Sequence, residues 1–152
     1  MENSRETGFR KMTIDDYDGI YDLWLHTQGM GLNDLDDSKE GIRKFLKRNP
    51  ETCFVAEDGG VIVGVLIGGH DGRRGYIYHT AVALSHRKQG IGNELVRLAM
   101  KALEQEGINK AALVVFERNE LGNAFWEKQG FDVRNDLIYR NKGIRDMTRI
   151  DT

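Results

Sequence analysis

Proline is almost missing from this chain: Pro50 is the one proline in 152 residues, against 18 glycines. Proline-rich spacers and collagen-like repeats are thereby excluded, and no linker or low-complexity stretch marks a boundary. A single domain over residues 1–152 is expected, of a length that can bury a sizeable core. Cysteine is equally scarce. Cys53 alone excludes a disulfide framework and a Cys-rich metal centre, and as an unpaired thiol in an apolar stretch it is expected to be buried. No apolar run approaches the length of a membrane span, and the polar Met1 to Arg10 stretch has no signal-peptide core, so a cytoplasmic protein without a membrane partner is expected. An excess of basic charge is missing too. With 22 basic and 24 acidic residues, the chain lacks the footprint of a nucleic-acid binder. His26, His70, His79 and His86 show no metal-ligand spacing, so no metal is expected.

What is present is a soluble-looking mixture, 39% hydrophobic and 30% charged, with clear periodicities. Phe9 to Met12 reads as a short strand. Tyr17, Ile20, Tyr21, Trp24 and Leu25 recur at helical spacing. After the loop Gln28 to Asp34, Asp37-x-x-Glu40 resembles a capping box opening a second helix that Asn49-Pro50 ends. Thr52 to Glu57 and Val61 to Gly69 read as strands joined by the hairpin signal Asp58-Gly59-Gly60. Gly75 to Leu84 reads as a long strand. Residues from about Gly90 to Glu106 form the clearest amphipathic helix, stopped by Gly107. Lys110 to Phe116 has the apolar run of a buried strand, Asn119 to Gln129 a short helix, and Phe131 to Arg134 and Leu137 to Arg140 two last strands.

The most informative segment is Val82 to Leu95. A strand ends, a basic glycine-bearing turn follows, and an amphipathic helix starts. The first amides of a helix lack intrahelical partners and carry partial positive charge, and glycine lets a ligand approach closely. Together they suit a pyrophosphate. No Gly-Lys-Ser/Thr follows, so the turn is not a Walker loop, and the dinucleotide spacing G-x-G-x-x-G is missing. An ordinary strand-to-helix turn, with glycine easing the packing, is the alternative reading of the segment.

Arg87-x-x-Gly90-x-Gly92 resembles the R/Q-x-x-G-x-G/A motif of the GNAT acetyltransferases. One helix and one strand later, Asn119 to Phe131 resembles that family's N-x-x-A/G-x-x-x-Y-x-x-x-G-F signature, with Trp126 where tyrosine is usual. The order of elements matches along essentially the whole chain. The resemblance implies an α/β (α+β) fold: a central, mixed, mostly antiparallel twisted sheet of about seven strands, a splayed parallel pair, and about four flanking helices. It further implies that the long strand bulges, and that acetyl-CoA enters the splayed gap as cosubstrate. Val82, Ala83 and Leu84 would then meet the acetyl and pantetheine groups. Arg87, Lys88, Gln89, Gly90, Ile91, Gly92 and Asn93 would hold the pyrophosphate, and Asn119, Asn123 and Trp126 would lie along the arm. Phe125 reads as core.

The implied reaction is direct attack of a neutral amine on the thioester, with an N–H at Val82 polarising the carbonyl and a general base taking the amine proton. Tryptophan cannot donate the proton that the family's tyrosine supplies. The carboxylate found in relatives that acetylate protein N-termini is replaced by Val114. His79, whose side-chain type titrates near pH 6.5, is the leading base candidate, with Tyr78 and Tyr139 as alternatives. On the acceptor side, Trp24, Met30, Asn33 and Asp34 are expected to meet a cationic amine, small molecule or peptide. Asp36 and Asp37 read as a solvated loop and a helix cap. His70 to Gly75 is a charged turn that fits a hairpin, an acceptor rim or a dimer contact equally. Exposed last strands would leave a homodimer open. Two other functions compete: a GNAT-fold acyl-CoA-binding module without turnover, and an unrelated α/β nucleotide binder.

Overall fold

The computed structural model describes residues 7–151. Five strands form one sheet in the order β1-β2-β3-β4-β5. They are β1 (Gly8–Lys11), β2 (Phe54–Asp58), β3 (Val61–His70), β4 (Gly75–Val82) and β5 (Ala111–Ala112). β1 to β4 pair antiparallel, and β4 pairs with β5 in parallel. The helices are α1 (Tyr17–Leu25), α2 (Lys39–Arg48), α3 (Ile91–Gln105) and α4 (Glu120–Lys128).

A sheet apolar on both faces needs a helical layer on each. One core gathers Ile20, Leu23 and Trp24 of α1, Ile42 of α2, and Val55, Val65, Ile67 and Ala81 of the strands. The other gathers Leu95, Val96, Ala99 and Ala102 of α3 against Phe54, Val63, Leu66 and Ile77. The alternation of β3 thus feeds both layers. Cys53 is fully buried, and its thiol donates to the Gly68 carbonyl at 3.2 Å. Burial pushes that thiol up to about 12, so it stays protonated and inert.

Three sequence expectations change. The second helix is capped by Ser38, whose hydroxyl accepts the Gly41 amide at 3.0 Å, so Asp37 lies just outside the cap. The expected Lys110–Phe116 strand is ladder-bonded only at Ala111–Ala112, where it meets Gly75 and Tyr76. The two last expected strands carry no ladder, and the sheet has five strands among the described residues rather than about seven. Past Ala112 the ladder to β4 ends, and among the described residues no strand pairs beyond β5. Val133 (79%) and Ile138 (78%) accordingly stay exposed instead of joining a sheet face. The chain does return at its end. An isolated bridge joins Asn33 to Arg149, and Ile150 donates to the Leu32 carbonyl at 3.0 Å. Asp151 accepts the amides of Gly31 (3.1 Å) and Leu32 (2.7 Å).

Candidate active site

The centre of the site is a fault in β4. Opposite β3 the register runs Val65↔Ala81 and then Ile67↔Tyr78, so His79 and Thr80 together face a single residue. His79 takes φ 23, a value that non-glycine residues rarely adopt. A bulge re-aims side chains. Here it sets the His79 ring edge-on to Trp24, with centroids 5.2 Å apart, on the layer that also holds Tyr17 and Ala81. Trp24, completely buried, donates its indole N–H to the His79 carbonyl at 3.1 Å and so props the bulge from behind.

The bulge delivers His79 to a carboxylate. His79 Nε2 lies 2.8 Å from Asp37 Oδ1. Asp37 is 3% exposed, its Oδ2 accepts the Asn33 amide at 2.8 Å, and its carbonyl accepts the Tyr17 hydroxyl at 2.6 Å. A carboxylate only accepts, so the partner assigns the hydrogen to Nε2 and leaves Nδ1 with its lone pair. Burial, ahead of the nearby Tyr21 and Asp37 charges, pushes the Tyr17 phenol up to about 12 and keeps it a donor. Sequence reasoning missed the His79–Asp37 pair because its members lie on separate elements and Asp37 matched a cap pattern.

β4 ends at Val82, three residues past His79, and leads into the glycine turn. A short 3-10 turn, Leu84–His86, is followed by Lys88 at φ 62 and Gly90 at φ 79, and then α3. Left-handed residues interleaved in a turn point successive amides into one concavity, a nest for an anion. The first amides of α3, from Ile91 to Asn93, lack intrahelical carbonyl partners, and no side chain caps the helix. Each glycine of the motif has its own reason. Gly90 takes the left-handed conformation with open space beside it, whereas a Cβ on Gly92 would come within 2.9 Å of Phe125. The turn is tethered through His86, whose Nε2 lies 2.8 Å from Asp58 Oδ2 and whose Nδ1 lies 2.7 Å from the Ser85 hydroxyl. That tether joins residues 28 apart and leaves no local mark in the residue pattern.

The remaining expected site residues are placed as follows. The Val82 carbonyl accepts Arg87 Nε at 3.2 Å, and the Ala83 amide donates to Val63 at 2.8 Å, which fixes the strand end; Leu84 is exposed. Arg87, Lys88 and Gln89 are exposed, Ile91 is buried, and the Asn93 side chain accepts from Gln129. Asn119 caps α4 by accepting the Gly122 amide at 2.9 Å, and Asn123 donates to the Phe116 carbonyl at 3.0 Å. Trp126 sits between Phe125 and Phe131, with ring centroids 5.0 and 5.2 Å away. Met30 packs on the α1 core. The Asn33 side chain shapes its own turn by accepting the Leu35 and Asp36 amides, and Asp34 Oδ1 accepts the Thr148 amide. Tyr78 is 43% exposed and Tyr139 60% exposed. Among the described residues no group of His, Cys, Asp and Glu could hold a metal, and no helix is long and apolar enough to cross a membrane.

A bulged strand whose ladder to its parallel neighbour is short, followed by an uncapped helix start, is the arrangement expected of an acetyltransferase. The family model described as Acetyltransferase (GNAT) family matches residues 17–131, and the chain belongs to this family of acetyltransferases. A protein of Yersinia pestis named Acetyltransferase is 31% identical over 132 residues, covering 87% of this chain and 92% of that one. The fold is similar to that of Ard1 from Thermoplasma volcanium (TM-score 0.75, 19% identity, 84% of each chain). It is similar also to the PaiA N-acetyltransferase of Thermoplasma acidophilum in complex with coenzyme A (TM-score 0.73, 19% identity, 86% of this chain and 92% of that one).

Proposed function

We propose that this chain moves the acetyl group of acetyl-CoA to a primary amine by direct attack in a ternary complex, with His79 as the general base. The observation that carries the reading is the His79–Asp37 pair, held 2.8 Å apart on a bulge at the mouth of the gap between β4 and β5. The uncapped amides at the start of α3 fit the pyrophosphate, with Arg87 and Lys88 adding charge. The thioester supplies an electrophilic carbon and a thiolate leaving group.

His79 does its work at one atom. Nδ1 accepts a proton from the acceptor amine as the new N–C bond forms and the C–S bond breaks. Asp37 holds the ring in the tautomer that leaves Nδ1 free, and its charge offsets that of the imidazolium. The released thiolate takes a proton from solvent, so Trp126 has none to give. Burial, and then the neighbouring Tyr139, raise the Tyr78 phenol, which keeps it protonated and unsuited to act as the base. Trp24 acts through the bulge, as a positioning residue. The absence of a hydroxyl at Trp126 favours one second reading, an acyl-CoA-binding module without turnover.

Thiol release from acetyl-CoA, followed against amines, aminoglycosides, polyamines and peptides beside a thermal-shift titration, tests the reading. Release with one acceptor class, lost in His79→Ala, is expected. A thermal shift without release from any acceptor would favour the binding module, and no shift at all would remove coenzyme A from the account.

A further inference from the structure

We infer that the acceptor carries a second positive group, seated on an aromatic floor beside the base, so that diamines are preferred over monoamines of the same length. The inference rests on the acetyl-transfer reading and concerns the same site.

The bulge is what builds the floor. Before it, Tyr76 and Tyr78 share one face of β4, as residues two apart do in a strand. The extra residue then brings His79 onto that same layer rather than the opposite one. Base and aromatic rings therefore become neighbours along one strand, with the centroids of Tyr78 and His79 6.3 Å apart. Tyr76 lies 4.6 Å from Tyr78, tilted at 39°, and Phe45 of α2 meets Tyr78 edge-on at 5.7 Å. Phe45 fixes the ring from below, yet Tyr78 remains 43% exposed and leaves surface free for a ligand.

The local charge selects the occupant. An apolar guest would need only the rings. Here the rings lie beside a negative charge, because the exposed carboxylate of Asp36 acts on Tyr78. Asp37, one residue on, is buried and taken up by His79 and the Asn33 amide, whereas Asp36 is exposed and, among the described residues, receives the neutral side-chain amide of Asn33 at 3.2 Å with no cation against it. An aromatic face beside an unmatched carboxylate favours a cation, through the ring quadrupole and the ion pair together. The attacking amine must be neutral at His79, so the ammonium that belongs on the floor is a second one on the same molecule.

The test compares kcat/KM for putrescine and cadaverine with that for butylamine and pentylamine, and adds phenethylamine as an apolar aromatic probe. The expected result is a diamine-to-monoamine ratio of at least about tenfold, falling toward one in Tyr76→Leu and Asp36→Asn. The ratio is independent of how much of each variant folds. Equal rates for diamines and monoamines, or phenethylamine ahead of both, would overturn the second cationic subsite while leaving acetyl transfer in place. Failure of every amine and peptide to release thiol would overturn the transfer reading and this inference with it.

Discussion

Replacing Asp37 by Asn separates the charge of the pair from its shape. The amide can still accept the Asn33 N–H, which the carboxylate accepts at 2.8 Å, so the loop keeps its anchor. Two things are lost at His79. The charge opposing the imidazolium disappears; for unit charges about 4 Å apart in a protein-like medium that is worth up to about 4 kcal/mol. The amide NH2 can also donate to Nε2, which would move the ring hydrogen to Nδ1 and remove the lone pair the reaction needs. The lower bound is one charge-assisted hydrogen bond, about 1.5 kcal/mol. At about 1.4 kcal/mol per decade, kcat should fall between about tenfold and about 10³-fold. The KM for acetyl-CoA should barely move, because the bonds of Asp37 run to His79, Asn33 and Tyr17 and not to the turn that starts α3. The assay is thiol release at saturating acetyl-CoA, with thermal unfolding as the control for folding. Asp37→Asn in a His79→Ala background should add almost nothing if the two act as a unit. A folded Asp37→Asn protein with kcat within about threefold of wild type would refute the dyad.

Two further outcomes follow from other parts of the fold. Gly90→Ala forces a side chain into a left-handed conformation at a cost of about 1–2 kcal/mol; it should raise the KM for acetyl-CoA more than it lowers kcat, read from initial rates at varied acetyl-CoA. At Asp16 burial alone would raise the carboxyl, but Arg10, at 2.9 and 2.7 Å, and the Thr13 amide outweigh it and hold the group below its usual range. The stability this contributes is present above the unfolded value of 3.8 and is lost as pH falls through the lower folded value; Asp16→Asn should flatten the acid limb of a Tm-against-pH curve by about 1–2 kcal/mol.

The strongly periodic elements were legible in the sequence, since a helix such as α3 writes its buried stripe of Leu95, Ala99 and Ala102 directly into residue spacing. The glycine turn was legible for a similar reason: helix starts and left-handed positions leave local marks. The last strands were misread because alternation states only that a segment could form a sheet edge. Whether an edge is there to receive it depends on where Lys110 to Phe116 travels, which no local pattern encodes. The acid partner of His79 was hidden for the same kind of reason. Asp37-x-x-Glu40 is a good cap pattern, yet Ser38 takes the cap, and a pairing across 42 residues is visible only once the chain has folded. Trp24 was expected to meet substrate and instead stands behind the bulge, because burial is set by the layer and not by the residue type.

The docking of Thr148 to Asp151 on the loop from Gly31 to Asp34 bears on how the protein fails under stress. That loop, seated in the core by Leu32, continues directly into Asp37, and the Thr148 to Asp151 segment is held to its outer side by a few hydrogen bonds, whereas His79 belongs to the antiparallel strands β1 to β4. Edge segments with few apolar contacts open at lower free energy than the body they rest on. Release of this strap would leave the loop that leads to Asp37 resting on Leu32 and the Tyr17 hydroxyl alone, while the sheet stayed intact. On warming, catalytic competence would then vanish in a transition of its own, ahead of the loss of the fold.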